Sequence, residues 1–369
     1  MDLVDLLDSD AAYLPFTGDS DIEKQLRDRF DAYFAKAEDL TSSNPANQEF
    51  LRALCDSQAL ANAVSEALGH WLDAAPELAL NALNNGLSRV APQVGELTSP
   101  GVPTDTTGPM FRARVADLGA RLGLPEMFHI PFELRDRVGT QRYSFPGLPC
   151  LYVGQSLYVC WEELGRPDLH ALWVSKVVVA PEHSIRVLDL GHRPATIAAG
   201  LEAALAGRSR GMPLRRATAY AVLWPLIAAC SVKRSPSRNR SFVVEYVVPQ
   251  LLLRWLVRTV REGKKDRLDG IRYFSTHIEE HEANLAGMNY VFPAQKRGKV
   301  GFCPQLREKF HLTHPTSWQL ATAEITPPPQ PRYNNFDLQL TKGWSADYRF
   351  TVFSRVEGFL DRLQAQAIP

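Results

Sequence analysis

The densest concentration of chemically capable residues in the 369-residue chain is Arg142-Tyr143-Ser144-Phe145-Pro146-Gly147-Leu148-Pro149-Cys150-Leu151-Tyr152, which runs into a predicted helix holding Glu162 and Glu163. A cation, a turn, an aromatic ring and a carboxylate are thereby presented within one loop, strand and helix. The planar fork of Arg142 can clasp a phosphate, Tyr152 can stack on a flat ring, and Glu163 can face the same cavity. A plainer reading of the same residues is a proline turn, a core tyrosine and a solvated helix acid, and periodicity by itself favours it.

Other patterns compete. His277-Ile278-Glu279-Glu280-His281 fits H-x-x-E-H, in which two histidines one helical turn apart hold zinc while a glutamate activates water. A zinc metallohydrolase built on His277 and His281 is therefore one alternative; a solvated, acid-rich helix or loop is the other. Gly154-Gln155-Ser156-Leu157-Tyr158 begins like a hydrolase nucleophile elbow, but Tyr158 stands where the second glycine belongs, so Ser156 is expected to cap a helix. Neither a Walker A loop nor G-x-G-x-x-G is present. Lys233, Arg234, Arg238 and Arg240 cluster around Pro236 and several serines, yet Lys plus Arg and Asp plus Glu both number 41. With no overall basic field, a solvated loop is expected there and nucleic acid is not an expected partner.

The first cluster, taken with later segments, resembles the signature of RES domains. In that family an arginine follows an early aromatic, a second arginine opens a proline-glycine turn, a tyrosine ends the next strand, and a glutamate lies on the following helix. Phe111-Arg112, Arg142, Tyr152 and Glu163 match in order and spacing. The stretch from Tyr246 through Gln250 to Trp255, the stretch from Asp269 to Ser275, and Asn289-Tyr-Val-Phe-Pro293 resemble the family's later helix, serine-bearing strand and end. Two departures stand out: residues 277–287 intervene after the serine, and Val247 stands where some relatives carry a serine.

The resemblance implies an ADP-ribosyltransferase-like catalytic domain that consumes NAD as substrate, with no separate cofactor, by hydrolysis, phosphorolysis or transfer of ADP-ribose to a protein. It implies a toxin or defence effector, restrained by an antitoxin or other regulatory protein. Roles follow residue by residue. Glu163 would stabilise the cation that forms on the ribose, Arg112 and Arg142 would bind the pyrophosphate, and Tyr152 would stack on nicotinamide or ribose. Ser275 would hydrogen-bond ribose or carboxamide, and Gln250 would support the substrate side or pack its helix. A binding module on an inactive scaffold remains a non-enzymatic alternative. The N-terminal helices are similar to the HEPN-like domain of longer RES proteins; His70 has no arginine four to six residues ahead, so ribonuclease chemistry is not expected.

Elements that must position these groups are legible in the spacing of apolar residues. Helices are predicted over 21–40, 48–72, 76–90, 157–164, 195–206, 214–231, 246–261 and 352–366, and strands over 148–153, 173–179, 185–190 and 270–274. Proline, glycine and hydroxyl residues over 96–109 mark a boundary. The expected fold class is α+β: a small all-α domain over 1–98, regulatory or homodimerising because its apolar faces at Phe30, Tyr33, Phe34, Leu51 and Leu54 need cover, with packing onto the catalytic domain the plainer alternative, then a mixed α/β catalytic domain over 99–369 with a C-terminal extension. Five scattered cysteines outside any C-x-x-C pair, an acidic N-terminus and a longest apolar run interrupted by Pro225 predict a cytoplasmic protein without a membrane span.

Overall fold

Helices fill the first hundred residues, as their apolar spacing requires: Asp2–Leu7, Ile22–Ser42, Gln48–Leu72, Pro76–Arg89 and Ala91–Glu96. The computed structural model describes residues 2–42, 48–99, 109–117, 119–208, 211–234, 242–261, 267–278, 287–323, 337–341 and 344–369. Two compact units emerge, each drawing on separated stretches of chain. The first comprises Met1–Ser99, Thr140–Tyr143 and Leu188–Lys265; the second comprises Pro100–Gly139, Ser144–Val187 and Asp266–Pro369. The boundary expected at 98/99 is therefore one crossing among several. Helices Pro194–Leu205, Leu214–Cys230 and Val247–Arg261, read from sequence as parts of the catalytic domain, pack with the N-terminal helices.

The physical cause lies in Leu214–Cys230. Nearly every residue from Ala217 to Cys230 is buried, and a helix apolar all round must be enclosed on every side. Gln48–Leu72 and Ala91–Glu96 supply part of that enclosure. Tyr33 stacks on Trp224 with ring centroids 4.0 Å apart, and Trp224 Nε1 donates to the carbonyl of Ala12 at 2.9 Å. Pro225 lacks the N–H that would have bonded the carbonyl four residues earlier, that of Ala221. The Tyr33 hydroxyl donates to that carbonyl at 3.0 Å and so repairs the gap. Phe30, Tyr33, Phe34 and Leu54 are all buried within this unit; Leu51 lies outside the described side chains.

An antiparallel sheet forms the second unit. Strands Gly270–Phe274, Met288–Pro293, Cys150–Gly154, Met110–Val115, Leu172–Val179, Phe310–Thr313 and Ala365–Ala367 are hydrogen-bonded in that order. Its faces are marked by two apolar clusters. One contains Met110, Leu151, Val153, Val177, Tyr290 and Phe292. The other contains Phe111, Leu172 and Val174 together with Leu157, Tyr158, Val159 and Cys160 of helix Leu157–Glu163. The fold class is thus α+β, as expected from the alternation of short β-branched runs with helices. One helix is shorter than its periodicity predicts: Val352–Asp361 stops before the expected end at 366, and Ala365–Ala367 pairs instead with His311–Thr313. The unpaired edge of strand Phe310–Thr313 satisfies those backbone groups, which outweighs the good helix propensity of Leu363, Gln364, Ala365, Gln366 and Ala367. No helix among the described residues is long and apolar enough to cross a membrane.

Candidate active site

Strand Cys150–Gly154 turns through Gln155 and Ser156 directly into helix Leu157–Glu163. The turn is tight because Gly154 has no side chain: a Cβ there would stand 2.5 Å from Val159 Cγ1 and 2.7 Å from Cys160 Sγ. Ser156 caps the helix as expected, accepting from the Val159 N–H at 3.0 Å. A second free amide, Leu157 N–H, donates to Glu357 Oε1 at 2.7 Å, and the Tyr348 hydroxyl donates to the same oxygen at 2.6 Å. A seven-residue helix is far too short to be stable alone; the strand beneath it and the C-terminal helix Val352–Asp361 fix its axis.

At its far end the two acids take opposite fates. Glu162 is buried, its Oε2 accepting from Arg166 Nε at 2.9 Å, while Arg166 sits at φ 57°, a left-handed conformation costly for a residue with a side chain. Glu163 points the other way. Its Oε1 accepts from Ser275 Oγ at 2.7 Å and from Asn289 Nδ2 at 2.8 Å. Its Oε2 accepts no hydrogen bond among the described residues and lies 3.9 Å from His277 Nε2. Ser275 is fully buried at the end of strand Gly270–Phe274, and its Oγ accepts the His277 backbone N–H at 3.1 Å. The serine hydroxyl is therefore oriented: it receives from one side and donates to the carboxylate on the other.

Register decides which other side chains share this face. Gly154 pairs with Asn289 and Tyr152 with Val291. Side chains alternate along a strand, so Tyr152 projects on the Asn289 side and is its diagonal neighbour. Arg112 does not. Phe111 pairs with Gly154, which puts Phe111 on the Glu163 face and Arg112 on the opposite one. There Arg112 donates through Nη1 to the Tyr152 carbonyl at 2.6 Å and through Nη2 to the Phe128 carbonyl at 3.3 Å. Burial pushes its guanidinium down to about 9, with Arg114 adding to the effect; it remains charged at neutral pH.

Arg142 and Gln250 belong to the first unit. Arg142 Nη1 donates to the carbonyls of Cys230 and Val232 at 3.2 and 2.9 Å, and its guanidinium lies 5.0 Å from the centre of the Tyr246 ring. A cation at the C-terminal end of helix Leu214–Cys230 satisfies carbonyls that the helix leaves open. Gln250 Nε2 donates to the Gln141 carbonyl at 2.9 Å. Of the expected residues the structure thus brings Glu163, Ser275 and Tyr152 to one face, and it adds Asn289, which sequence reasoning noted only as the start of a closing motif. His281 and Glu280 lie outside the described residues, as do Arg238 and Arg240. Among the described residues no group of His, Cys, Asp and Glu is arranged to hold a metal.

Comparison with known proteins places the chain beside one curated relative. It is 28% identical over 358 residues to YopC of Bacillus subtilis (strain 168), a protein named as a candidate toxin, covering 95% of this chain and 78% of that one. No family profile matches the chain. A chain of the crystal structure of the M. tuberculosis MbcT-MbcA toxin-antitoxin complex aligns over 57% of this chain and 87% of its own. With 13% identity and a TM-score of 0.27, that likeness is too slight to carry either a fold or a function.

Proposed function

We propose that this protein is a toxin that cleaves the nicotinamide N-glycosidic bond of NAD, with Glu163 as the charge-stabilising group. One observation carries the reading: a carboxylate with one oxygen fastened by Ser275 and Asn289 and the other without a hydrogen bond among the described residues. When the ribose C1″–N bond breaks, its electron pair passes to the nicotinamide ring and positive charge grows on the ribose. An anion held in place beforehand stabilises that charge without having to reorganise. Two neutral donors on Oε1 hold the geometry while leaving the net charge in place.

The remaining residues take graded roles. Tyr152, on the same face, offers a ring against which nicotinamide or ribose stacks. Arg112 acts as a positioning residue, gripping the Tyr152 strand by its backbone from the opposite face. Arg142 and Gln250 have backbone partners within their own unit, and only the RES resemblance assigns them to substrate. The resemblance to YopC, a protein named as a toxin candidate, fits an activity that depletes an essential dinucleotide and so requires a restraining partner. Incubating the protein with NAD, with and without inorganic phosphate, tests the reading. Nicotinamide with ADP-ribose identifies water as acceptor, nicotinamide with ADP-ribose 1″-phosphate identifies phosphate, and intact NAD refutes the proposal.

A further inference from the structure

Beside Glu163 stands a second ionisable group that the chemistry above leaves unused. His277 Nε2 lies 3.9 Å from Glu163 Oε2, the oxygen without a hydrogen bond among the described residues, and the imidazole side chain is 53% exposed. It thus flanks the carboxylate on the side open to solvent. Its placement does not rest on the ring. The backbone N–H of His277 is anchored on Ser275 Oγ, and the next residue, Ile278, is buried in the apolar cluster under helix Leu157–Glu163. Among the described residues, Glu163 is the charged group that faces the imidazole.

We infer that His277 is a further catalytic residue, the base that deprotonates the attacking acceptor; this rests on the NAD-cleaving reading. The need for it follows from Glu163. A carboxylate that stabilises a ribosyl cation must stay ionised while the cation exists, so it cannot take up a proton in the same step. As the C1″–N bond breaks, its pair moves to the nicotinamide nitrogen, and nicotinamide leaves uncharged. The oxygen of water bonds to C1″, and one of its protons passes to His277 Nε2 and then to solvent. NAD and water thereby give ADP-ribose, nicotinamide and one proton, with no other reactant.

The test is His277→Gln in the full chain, assayed for nicotinamide release across the imidazole range. The exposed site and the retained backbone N–H keep the fold and Ser275 undisturbed. Loss of a general base typically costs on the order of a hundredfold in kcat, and KM for NAD should move less than about threefold, because the ring acts after binding. Wild-type kcat should rise with pH as a general base loses its proton, and the variant should lack that rise. Free imidazole should restore part of the variant's rate. Unchanged kcat in the variant, or a reduced kcat with the wild-type pH rise intact, overturns the inference while leaving NAD cleavage standing. A wild-type protein that releases no nicotinamide overturns both.

Discussion

Ser275 and Asn289 both donate to Glu163 Oε1, but they are fastened differently. Ser275 Oγ is locked between the His277 N–H and the carboxylate, whereas Asn289 reaches the same oxygen from a strand residue paired with Gly154 at the end of its ladder. Replacing Asn289 with Ala removes one charge-assisted hydrogen bond and leaves the other. A kcat lowered roughly tenfold is expected, with NAD binding little changed, since such a bond contributes about 1.5 kcal/mol or more; a calorimetric Kd alongside kcat checks it. Glu162 is no neutral control for this site, because it is buried and paired with Arg166, so any substitution is a test of folding. His129 makes the residue-scale prediction for pH. It is fully buried, its Nε2 accepts the Cys303 N–H at 2.9 Å, and its Nδ1–H therefore donates to the Ile130 carbonyl. Burial above all, helped by the Arg112 charge, lowers its proton affinity from 6.5 to about 4. The fold thus keeps the ring neutral where an unfolded chain would protonate it. Its contribution is complete above about 6.5 and is lost as pH falls toward about 4, by up to about 3 kcal/mol. Urea unfolding at neutral and mildly acid pH should show that loss, and His129→Gln should flatten it.

The helix that carries Glu163 is held by elements from distant parts of the chain, and Gly154 is the contact that permits its close approach. Substituting Gly154 with Ala forces Val159 and Cys160 away from the strand. Overpacking of this kind costs about 1 to 3 kcal/mol, and the displaced helix should lower kcat at unchanged protein concentration. A variant with wild-type melting and wild-type kcat would contradict this picture of the turn. The same elements show what was legible beforehand. Helix Leu157–Glu163 and strand Gly270–Phe274 were readable from local apolar spacing, and Gln48–Leu72 matches its expected limits. Strand Met110–Val115 escaped because Arg112 and Arg114 break its apolar run, and Met288–Pro293 escaped because it is buried on both faces and so shows no alternation to read. Which side of the sheet Arg112 leaves depends on the pairing of Phe111 with Gly154, a fact of register that no single stretch encodes. The capping of Leu157 by Glu357, 200 positions away, is equally invisible to local pattern.

At the scale of the molecule, the helical N-terminal stretch does not stand apart. Its aromatic faces close over helix Leu214–Cys230, and Tyr33 completes the hydrogen bonding that Pro225 breaks. The need for cover, which from sequence left regulation, a homodimer or packing within the chain open, is met at Phe30, Tyr33, Phe34 and Leu54 within the first unit by the chain's own helices. Removing the first hundred residues would expose a helix that is apolar on all sides, so restraint of a toxic activity is better sought with the whole chain. Balanced charge leaves substrate recognition to local groups rather than to a long-range field. The proposed role of Glu163 is that of an anion beside a ribosyl cation. It is tested most directly by comparing nicotinamide release from NAD by the wild-type protein and by Glu163→Gln, which nearly conserves shape and removes only the charge. A well-placed electrostatic group of this kind typically contributes a hundredfold or more, so robust release is expected from the wild type and at least about a hundredfold less from the variant, with NAD still bound. Equal rates from the two proteins would contradict it.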